Sequence, residues 1–455
     1  MSRAPEQVQD PLRWCAALAL VFWLACLPYL TAVPHPYFDE VHYLPAAREL
    51  LVLGEFTNRE HPLLGKQLIA LGIALFGDNP VGWRLLPTLL GTLALFRSVL
   101  SVVIAPGADV AEIIYQGRIR QRGPRVVSMG GGTGQGVLLR GLKELTANLT
   151  AVVTVADDGG SSGRLRRDFG LMPPGDIRNC LTALADSESL MTKLVHYRFE
   201  QGDGLKGHSL GNLLIAAMRD IEGGMDQGIE SLSQVLRIQG EIAPSSMTDV
   251  HLAAELEDGT IVVGESRIGE GGKIKRVFLQ PKHVAANEDA VSAILAADMV
   301  VIGPGSVFTS ILPNLLVPDI VAALRASRAV KVYVCNVATE SGETDDFGPS
   351  DHVRVLTEHV GPGLFQYVVL NNRTDVVPGN DEDADIRIVA ASPREQADLQ
   401  RGGLEVVSAD VIDAESPEHH DPERLAEAVM QLYEGASASP RVLDLPGSIP
   451  GNPGF

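Results

Sequence analysis

Two adjacent carboxylates followed by glycines and serines are the residues of this chain best suited to bind a ligand. Asp157 and Asp158 follow the apolar run Leu149 to Ala156 and open the loop Gly159-Gly160-Ser161-Ser162-Gly163. Open α/β sheets bind their ligands at the carboxyl ends of the strands. There the two carboxylates could accept hydrogen bonds from a ribose or sugar hydroxyl, or hold a metal ion such as Mg²⁺.

A glycine-rich turn lies one predicted helix earlier in the chain. Around Thr133, five glycines follow the apolar run that begins at Val126: Gly130, Gly131, Gly132, Gly134 and Gly136. Leucines at helical spacing come next, which predicts a strand, a tight turn and a helix. Such a turn lets the backbone approach a phosphate closely. The strict dinucleotide fingerprint and the Walker motif are both absent, and the alternative is a turn that only packs a helix on a strand.

A second glycine loop follows another predicted buried strand. The residues Gly303, Pro304, Gly305 and Ser306 come directly after Met299 to Ile302. The carboxyl ends of parallel strands share one edge of a sheet, so this loop should face the same crevice as the first. Two such loops in one sheet indicate a bound nucleotide.

Further polar residues follow predicted strand ends or begin predicted helices: Arg164, Asp176, Arg178, Asn179, His208, Asn212 and Asn336. Each has an alternative role. Arg164 belongs to a basic cluster that could bind phosphate or pair with nearby aspartates. Asp176 could cap the helix Ile177 to Ala185. Asn336 could bind a base or sugar, or only form a turn.

His208 lies next to Ser209, which invites comparison with catalytic serine sites. Adjacent Ser and His residues do not make a triad, because the base must meet the nucleophile in space with an orienting partner. We therefore expect Ser209 to cap the following helix and His208 to be a binding candidate.

Five motifs occur together in one order: GGGTG, ADDGGSSGRL, PPGDIRNC, GHSLGN and GPGS. In this combination the chain resembles the gluconeogenesis factor (YvcK) branch of the CofD-like family, over about residues 97 to 435. The other branch contains the 2-phospho-L-lactate transferases of coenzyme F420 synthesis.

The resemblance implies a regulatory protein that binds a nucleotide sugar such as UDP-N-acetylglucosamine and acts on cell shape and the supply of cell-wall precursors. The alternative is a phospholactyl transferase that uses a nucleotide diphosphate donor and Mg²⁺. The loop Gly159 to Arg164 matches the regulatory branch. We expect no catalytic residues, no certain cofactor and a homo-oligomer.

Composition limits the partners of the chain. Its 455 residues carry a net charge of −20, which argues against nucleic acid. The four cysteines have no spacing typical of zinc sites or disulfide scaffolds. A reducing compartment therefore suits the globular part, and we expect it to be cytoplasmic.

The N-terminal region is strongly apolar. Residues 12–33 are long enough to span a bilayer, and residues 81–105 form a second candidate span that contains Arg97. Residues 1–96 resemble the start of the protein O-mannosyltransferases, on the motifs YFDEVHY, EHPLLGK and GDNPVGWR. In that family an acidic residue at the position of Asp39 or Glu40 is the base. The resemblance ends near Leu95, so we expect a truncated module that serves as a membrane anchor, left by a gene fusion or a sequence error.

These observations predict an α/β fold. We expect a three-layer, Rossmann-like, mostly parallel sheet with a small β-hairpin insertion, preceded by a helical membrane segment. The predicted domains are a truncated mannosyltransferase-like segment (1–96), a linker (97–125), the nucleotide-binding domain (126–435) and a disordered tail (436–455).

Overall fold

The computed structural model describes residues 11–32, 34–36, 40–52, 63–103, 119–185, 190–375 and 386–438. The chain divides into two compact units, Met1–Ile114 and Tyr115–Phe455. Asp39, the segment 60–62 and most of the predicted tail lie outside the described residues. The domain bounds given by the sequence stay predictions.

The first unit is helical. Its helices are α1 (Pro11–Ala32), α2 (Glu40–Leu51), α3 (Leu63–Phe76) and α4 (Pro80–Val103). Leu44, Ile73 and Trp83 belong to a small buried core. Glu40, a candidate base by the mannosyltransferase resemblance, accepts hydrogen bonds from Arg84 Nε at 2.5 Å and Nη2 at 2.7 Å. This ion pair gives Glu40 a structural role within the unit.

The predicted membrane segment is not supported. Among the residues that the structure describes, no single helix is long and apolar enough to cross a membrane. Two shorter apolar helices, Ala19–Ala32 and Leu64–Phe76, lie in this region. A bent pair, Val307–Leu315 with Pro318–Ala326, passes the same test by length and composition. Its buried side chains belong to a core of the second unit.

The second unit is built on parallel strands. Its described strands are β1 (Val126–Gly130), β2 (Leu149–Val153), β3 (Glu241–Pro244), β4 (His251–Leu256), β5 (Ile261–Val263), β6 (Ile274–Gln280), β7 (Met299–Ile302), β8 (Val330–Val334), β9 (Tyr367–Asn371) and β10 (Glu405–Ala409). Seven of them form one sheet in the order β10-β9-β8-β7-β1-β2-β3. Every neighbouring pair in it is parallel.

The helices of this unit are α5 (Gly132–Leu142), α6 (Gly160–Phe169), α7 (Gly175–Leu184), α8 (Leu190–His196), α9 (Leu210–Glu222), α10 (Met225–Leu236), α11 (Glu265–Ile268), α12 (Glu288–Ala296), α13 (Leu312–Leu315), α14 (Pro318–Ala326), α15 (Pro349–Val360), α16 (Pro393–Arg401) and α17 (Pro422–Ala438). A π-helical turn, Val307–Ile311, precedes α13. Helix α17 extends to Ala438, two residues beyond the start of the predicted tail.

Alternating side chains divide the sheet between two cores, because successive residues of a strand point to opposite faces. Val127 and Val300 face a core shared with α12, α13, α14 and α15. Val126 and Val301 face a core shared with α5, α7, α10 and α17. Helices therefore cover both faces, and the predicted three-layer, Rossmann-like α/β fold is confirmed.

The order of strands reverses between β1 and β7. From β1 the chain adds β2 and β3 on one side, and from β7 it adds β8, β9 and β10 on the other. Crossovers on either side of such a switch point leave a crevice at the carboxyl ends of the two central strands. Both predicted glycine loops follow those two strands.

A small antiparallel sheet interrupts the parallel one. Its order is β5-β4-β6, and it lies between β3 and β7 in the chain. The predicted hairpin is the pair β4–β5, and β6 pairs with β4 on the other side. The short helix α11 lies between β5 and β6.

Candidate functional site

One buried side chain, that of Gln135, holds the first glycine loop in place. Gln135 Nε2 donates to Ser128 O at 3.0 Å and to Val152 O at 3.1 Å, which joins the ends of β1 and β2. Gly132 has φ +65°, a conformation that favours glycine, and helix α5 begins there. The strand, turn and helix predicted from the glycine spacing are confirmed.

The two glycine loops pack directly against each other. A methyl group at Gly134 would lie 2.8 Å from Pro304 O. Asn314 Nδ2 donates to Gly130 O at 2.9 Å, which ties α13 to the end of β1. A side chain at Gly134 would therefore push the loops apart at the switch point.

The carboxylate of Asp176 accepts a hydrogen bond from a backbone amide of the first glycine loop. Its Oδ1 accepts from Gly132 N at 2.9 Å. Burial, and then the neighbouring Asp157 carboxylate, raise the pKa of Asp176 to about 7. The alternative in which Asp176 caps its own helix is not seen, because α7 begins at Gly175 with Pro174 as its N-cap. Its side chain instead reaches across to the glycine turn.

Asp157 and Asp158 are held by backbone amides. Asp157 Oδ1 accepts from Gly159 N at 2.8 Å, and Asp158 Oδ1 accepts from Ser266 N at 2.9 Å. Burial raises the pKa of Asp157. The described residues contain no group of three or more His, Cys, Asp or Glu side chains placed to hold a metal ion. The suggested Mg²⁺ role of the two aspartates therefore gains no support.

Arg178 joins two helix starts beside these acids. Its Nη1 donates to Ser209 Oγ at 2.8 Å and to Asn212 Oδ1 at 3.3 Å, and its Nη2 donates to Asn179 Oδ1 at 2.8 Å. Burial, followed by the nearby Arg198, lowers the pKa of Arg178. Three of the predicted binding residues (Arg178, Asn179 and Asn212) thus form one network.

His208 meets a serine from another helix. Its Nδ1 lies 2.9 Å from Ser161 Oγ, and both side chains are buried. Burial and then the Arg164 charge lower the pKa of His208. Ser209 caps α9 by accepting from Asn212 N at 3.2 Å, as predicted. The pair of Ser161 and His208 was not predicted, since 47 positions separate the two residues.

The basic cluster after the Asp157–Asp158 loop points to other partners. Arg164 Nη1 donates to Lys206 O at 2.8 Å. Arg166 bonds to Asp249 and to Val250 O. In these hydrogen bonds, Arg164 and Arg166 therefore do not pair with Asp157 or Asp158, which was one of the alternatives.

The second glycine loop is fixed by residues after β8. Gly305 N donates to Asn336 Oδ1 at 2.9 Å, and Asn336 Nδ2 donates to Glu340 Oε1 at 3.0 Å. Ser306 Oγ accepts from Thr309 N at 3.1 Å and donates to Glu343. Burial, and then the Glu343 charge, raise the pKa of Glu340 to about 8.

The structure brings predicted residues together in several bonded groups. Asp176 bonds to the first loop, Asn336 bonds to the second loop, and Arg178 bonds to Asn179 and Asn212. Sequence reasoning missed four polar residues near these groups: Glu265, Asn314, Glu340 and Glu343. They lie in the insertion, the helix after the second loop and the segment after β8, where no motif marked them. Ligand binding by the predicted residues stays a prediction.

Comparison with known proteins agrees with this architecture. Residues 126–412 match the family model described as 2-phospho-L-lactate transferase CofD. A gluconeogenesis factor from Halalkalibacterium halodurans is 53% identical over 247 residues, which cover 54% of this chain and 77% of that protein. A gluconeogenesis factor from Bacillus subtilis is 44% identical over 315 residues, covering 68% of this chain and 98% of that protein.

A crystal structure of a Bacillus halodurans protein has a TM-score of 0.63 at 44% identity and covers 68% of this chain and 99% of that one. The resemblance of residues 1–96 to the O-mannosyltransferases is not shown by these comparisons. The parallel sheet, the paired glycine loops and the similarity to curated gluconeogenesis factors together establish that the chain belongs to the CofD family, in its gluconeogenesis-factor branch.

Proposed function

We propose that the second unit binds a nucleotide sugar, with UDP-N-acetylglucosamine as the specific candidate, and acts as a regulatory protein. The observation that supports this most is the pair of glycine loops, which meet at the switch point between β1 and β7. Gly132 and Gly303 have positive φ values, so each loop turns its backbone in a way that side chains would hinder. Such backbone turns suit a diphosphate group.

The polar groups around the loops suit the rest of such a ligand. The amides of Asn336 and Asn212 already bond within the protein, and each keeps a second N–H and a second oxygen lone pair for a ligand. The carboxylates of Asp157 and Glu343 can accept from hydroxyl groups. A ligand with a diphosphate between two hydroxylated parts matches this distribution.

The regulatory role follows the names of the relatives, which are gluconeogenesis factors. We propose that the protein links the supply of cell-wall precursors, and hence cell shape, to growth on gluconeogenic carbon sources. A nucleotide sugar that feeds wall synthesis is a suitable signal for that role.

A second candidate is a phospholactyl transferase, favoured by the family description and by the acidic crevice. Phosphoryl transfer relies mainly on positioning and charge, usually with Mg²⁺. The loop Gly159 to Arg164, which matches the regulatory branch, favours the first candidate over this one.

Calorimetric titration of the full chain with UDP-N-acetylglucosamine and with GDP, each with and without Mg²⁺, tests the proposal. We expect saturable binding of the UDP-sugar without Mg²⁺. Binding of GDP that requires Mg²⁺, with no response to the UDP-sugar, would overturn the proposal in favour of the transferase.

A further inference from the structure

A short turn from the small antiparallel sheet contacts loops on both sides of the switch point. The turn runs from Gly264 through α11 to Gly269. On one side, Ser266 N donates to Asp158 Oδ1 at 2.9 Å, and the backbone of Gly264 packs against the same carboxylate. On the other side, Gly342 packs against Gly269 O. The turn therefore bridges the loop after β2 and the segment after β8.

Glu265, the first residue of α11, has an unusual environment. Its Oε2 is buried and has no hydrogen-bond partner among the described residues. A buried carboxyl oxygen without a partner costs free energy, so native structures normally provide one.

Among the described residues, the charges recorded near Glu265 are all carboxylates. Burial raises its pKa well above the usual value, and nearby carboxylates raise it further: Asp176, Asp157, Asp158 and Glu343. These acids come from the loops after β2 and β8 and from α7. The buried Oε2 of Glu265 therefore has room for a donor that the described residues do not provide. A neutral hydroxyl can donate to such an oxygen without adding charge.

We propose that Glu265 is a ligand-binding residue, whose free oxygen accepts a hydrogen bond from a sugar hydroxyl of the bound ligand. This inference rests on the proposed binding of a nucleotide sugar. It adds to the two glycine loops a recognition residue that belongs to the antiparallel insertion. The hydroxyl could belong to the ribose or to the distal sugar, and a comparison of UDP with the UDP-sugar distinguishes the two.

The test titrates the full chain and its Glu265→Ala variant with UDP-N-acetylglucosamine, UDP and inorganic pyrophosphate, in the absence of Mg²⁺. We expect the variant to bind the UDP-sugar about tenfold more weakly, since a hydrogen bond to a carboxyl oxygen is worth roughly that factor. Pyrophosphate, which has no hydroxyl of a sugar, should bind the variant as well as the wild type or more tightly. If UDP loses as much affinity as the UDP-sugar, the hydroxyl belongs to the ribose, and otherwise to the distal sugar.

Two variants separate recognition from folding. Glu265→Gln keeps an oxygen acceptor and should retain UDP-sugar affinity to within about threefold. Glu270→Ala makes the same deletion at an exposed position after the same turn and should change nothing. Thermal unfolding of each variant checks that the fold is intact.

The outcomes remain distinct. Failure of the wild type to bind either nucleotide overturns both the proposed function and the role of Glu265. Normal wild-type binding with equal loss of all three probes, or with no loss for any of them, overturns the role of Glu265 alone.

Discussion

The backbone amide of Gly132 donates a 2.9 Å hydrogen bond to Asp176 Oδ1, although 44 positions separate the two residues. The amide lies at the start of α5, where the helix dipole and free N–H groups favour an anion. The sequence predicted that the amides of this turn bind a phosphate. One of them, Gly132 N, is instead bonded to a carboxyl group of the protein. An anionic ligand and the ionised form of Asp176 should oppose each other.

This opposition predicts the effect of Asp176→Asn. The amide oxygen of asparagine can still accept from Gly132 N, but the negative charge is gone. We expect the variant to bind UDP-N-acetylglucosamine several-fold more tightly than the wild type at pH 8, and about equally at pH 6, where Asp176 is mostly protonated. Calorimetric titration at the two pH values measures this. Asp319→Asn, an exposed change in the first turn of α14, is the control. Weaker binding by Asp176→Asn at both pH values would mean that the carboxylate itself contacts the ligand.

The raised pKa values of Asp176 and Glu340 predict how stability depends on pH. An acid whose pKa is higher in the folded state binds more protons there, so its stabilising effect is present at low pH and is lost as the pH rises. With folded values of about 7 and about 8, the loss should extend over roughly pH 4 to 8. We expect the melting temperature of the ligand-free protein to fall between pH 6 and pH 9.

Scanning calorimetry across that interval provides the measurement. Asp176→Asn should flatten the lower part of the curve, and Glu340→Gln the upper part, because each variant removes one titrating group. A melting temperature that stays constant, or rises, between pH 6 and pH 9 contradicts the assignment.

The sequence predicted those parts of the site that local residue patterns specify. Apolar runs followed by glycines identified the ends of β1 and β7, and parallel pairing then placed both loops at one edge. The capping role of Ser209 is equally local and was predicted correctly. The sequence left the role of Asp176 open, because a carboxylate next to a helix start fits a cap as well as a long-range acceptor, and only the tertiary fold separates the two.

Long-range contacts explain what the sequence could not predict. Ser161 and His208 meet through the packing of separate segments, and Glu265 lies on an insertion more than 100 positions from the aspartate loop that its turn contacts. Neither carries a spacing that marks it as functional. The membrane segment was inferred from apolar composition alone, and that composition does not yield a single spanning helix among the described residues.

The network around Arg178 predicts a difference between arginine and lysine. One guanidinium contacts Ser209, Asn212 and Asn179, and a lysine ammonium cannot reproduce that planar set of donors. We expect Arg178→Lys to lower the free energy of unfolding by about 1–2 kcal/mol and to weaken UDP-sugar binding about tenfold. Denaturant unfolding and calorimetric titration measure the two effects. Arg219→Lys, a partly exposed change on α9, should alter neither. Unchanged binding by Arg178→Lys would assign Arg178 to structure alone.

Two glycines of the same helix start should respond oppositely to alanine. At Gly134 a methyl group would lie 2.8 Å from Pro304 O and 3.0 Å from Gly305 N, so Gly134→Ala must separate the two glycine loops. At Gly136 the nearest atoms would be Ala183 Cβ at 3.7 Å and Asn179 O at 3.8 Å, which is ordinary contact.

Gly134→Ala should therefore abolish nucleotide-sugar binding. Gly136→Ala should preserve it and raise the free energy of unfolding by about 0.5–1 kcal/mol, because alanine favours the helix. Calorimetric titration of Gly134→Ala and Gly136→Ala measures their ligand binding, and thermal unfolding measures their stability. If Gly134→Ala folds and binds as the wild type does, contact between the loops at the switch point is not what forms the ligand site.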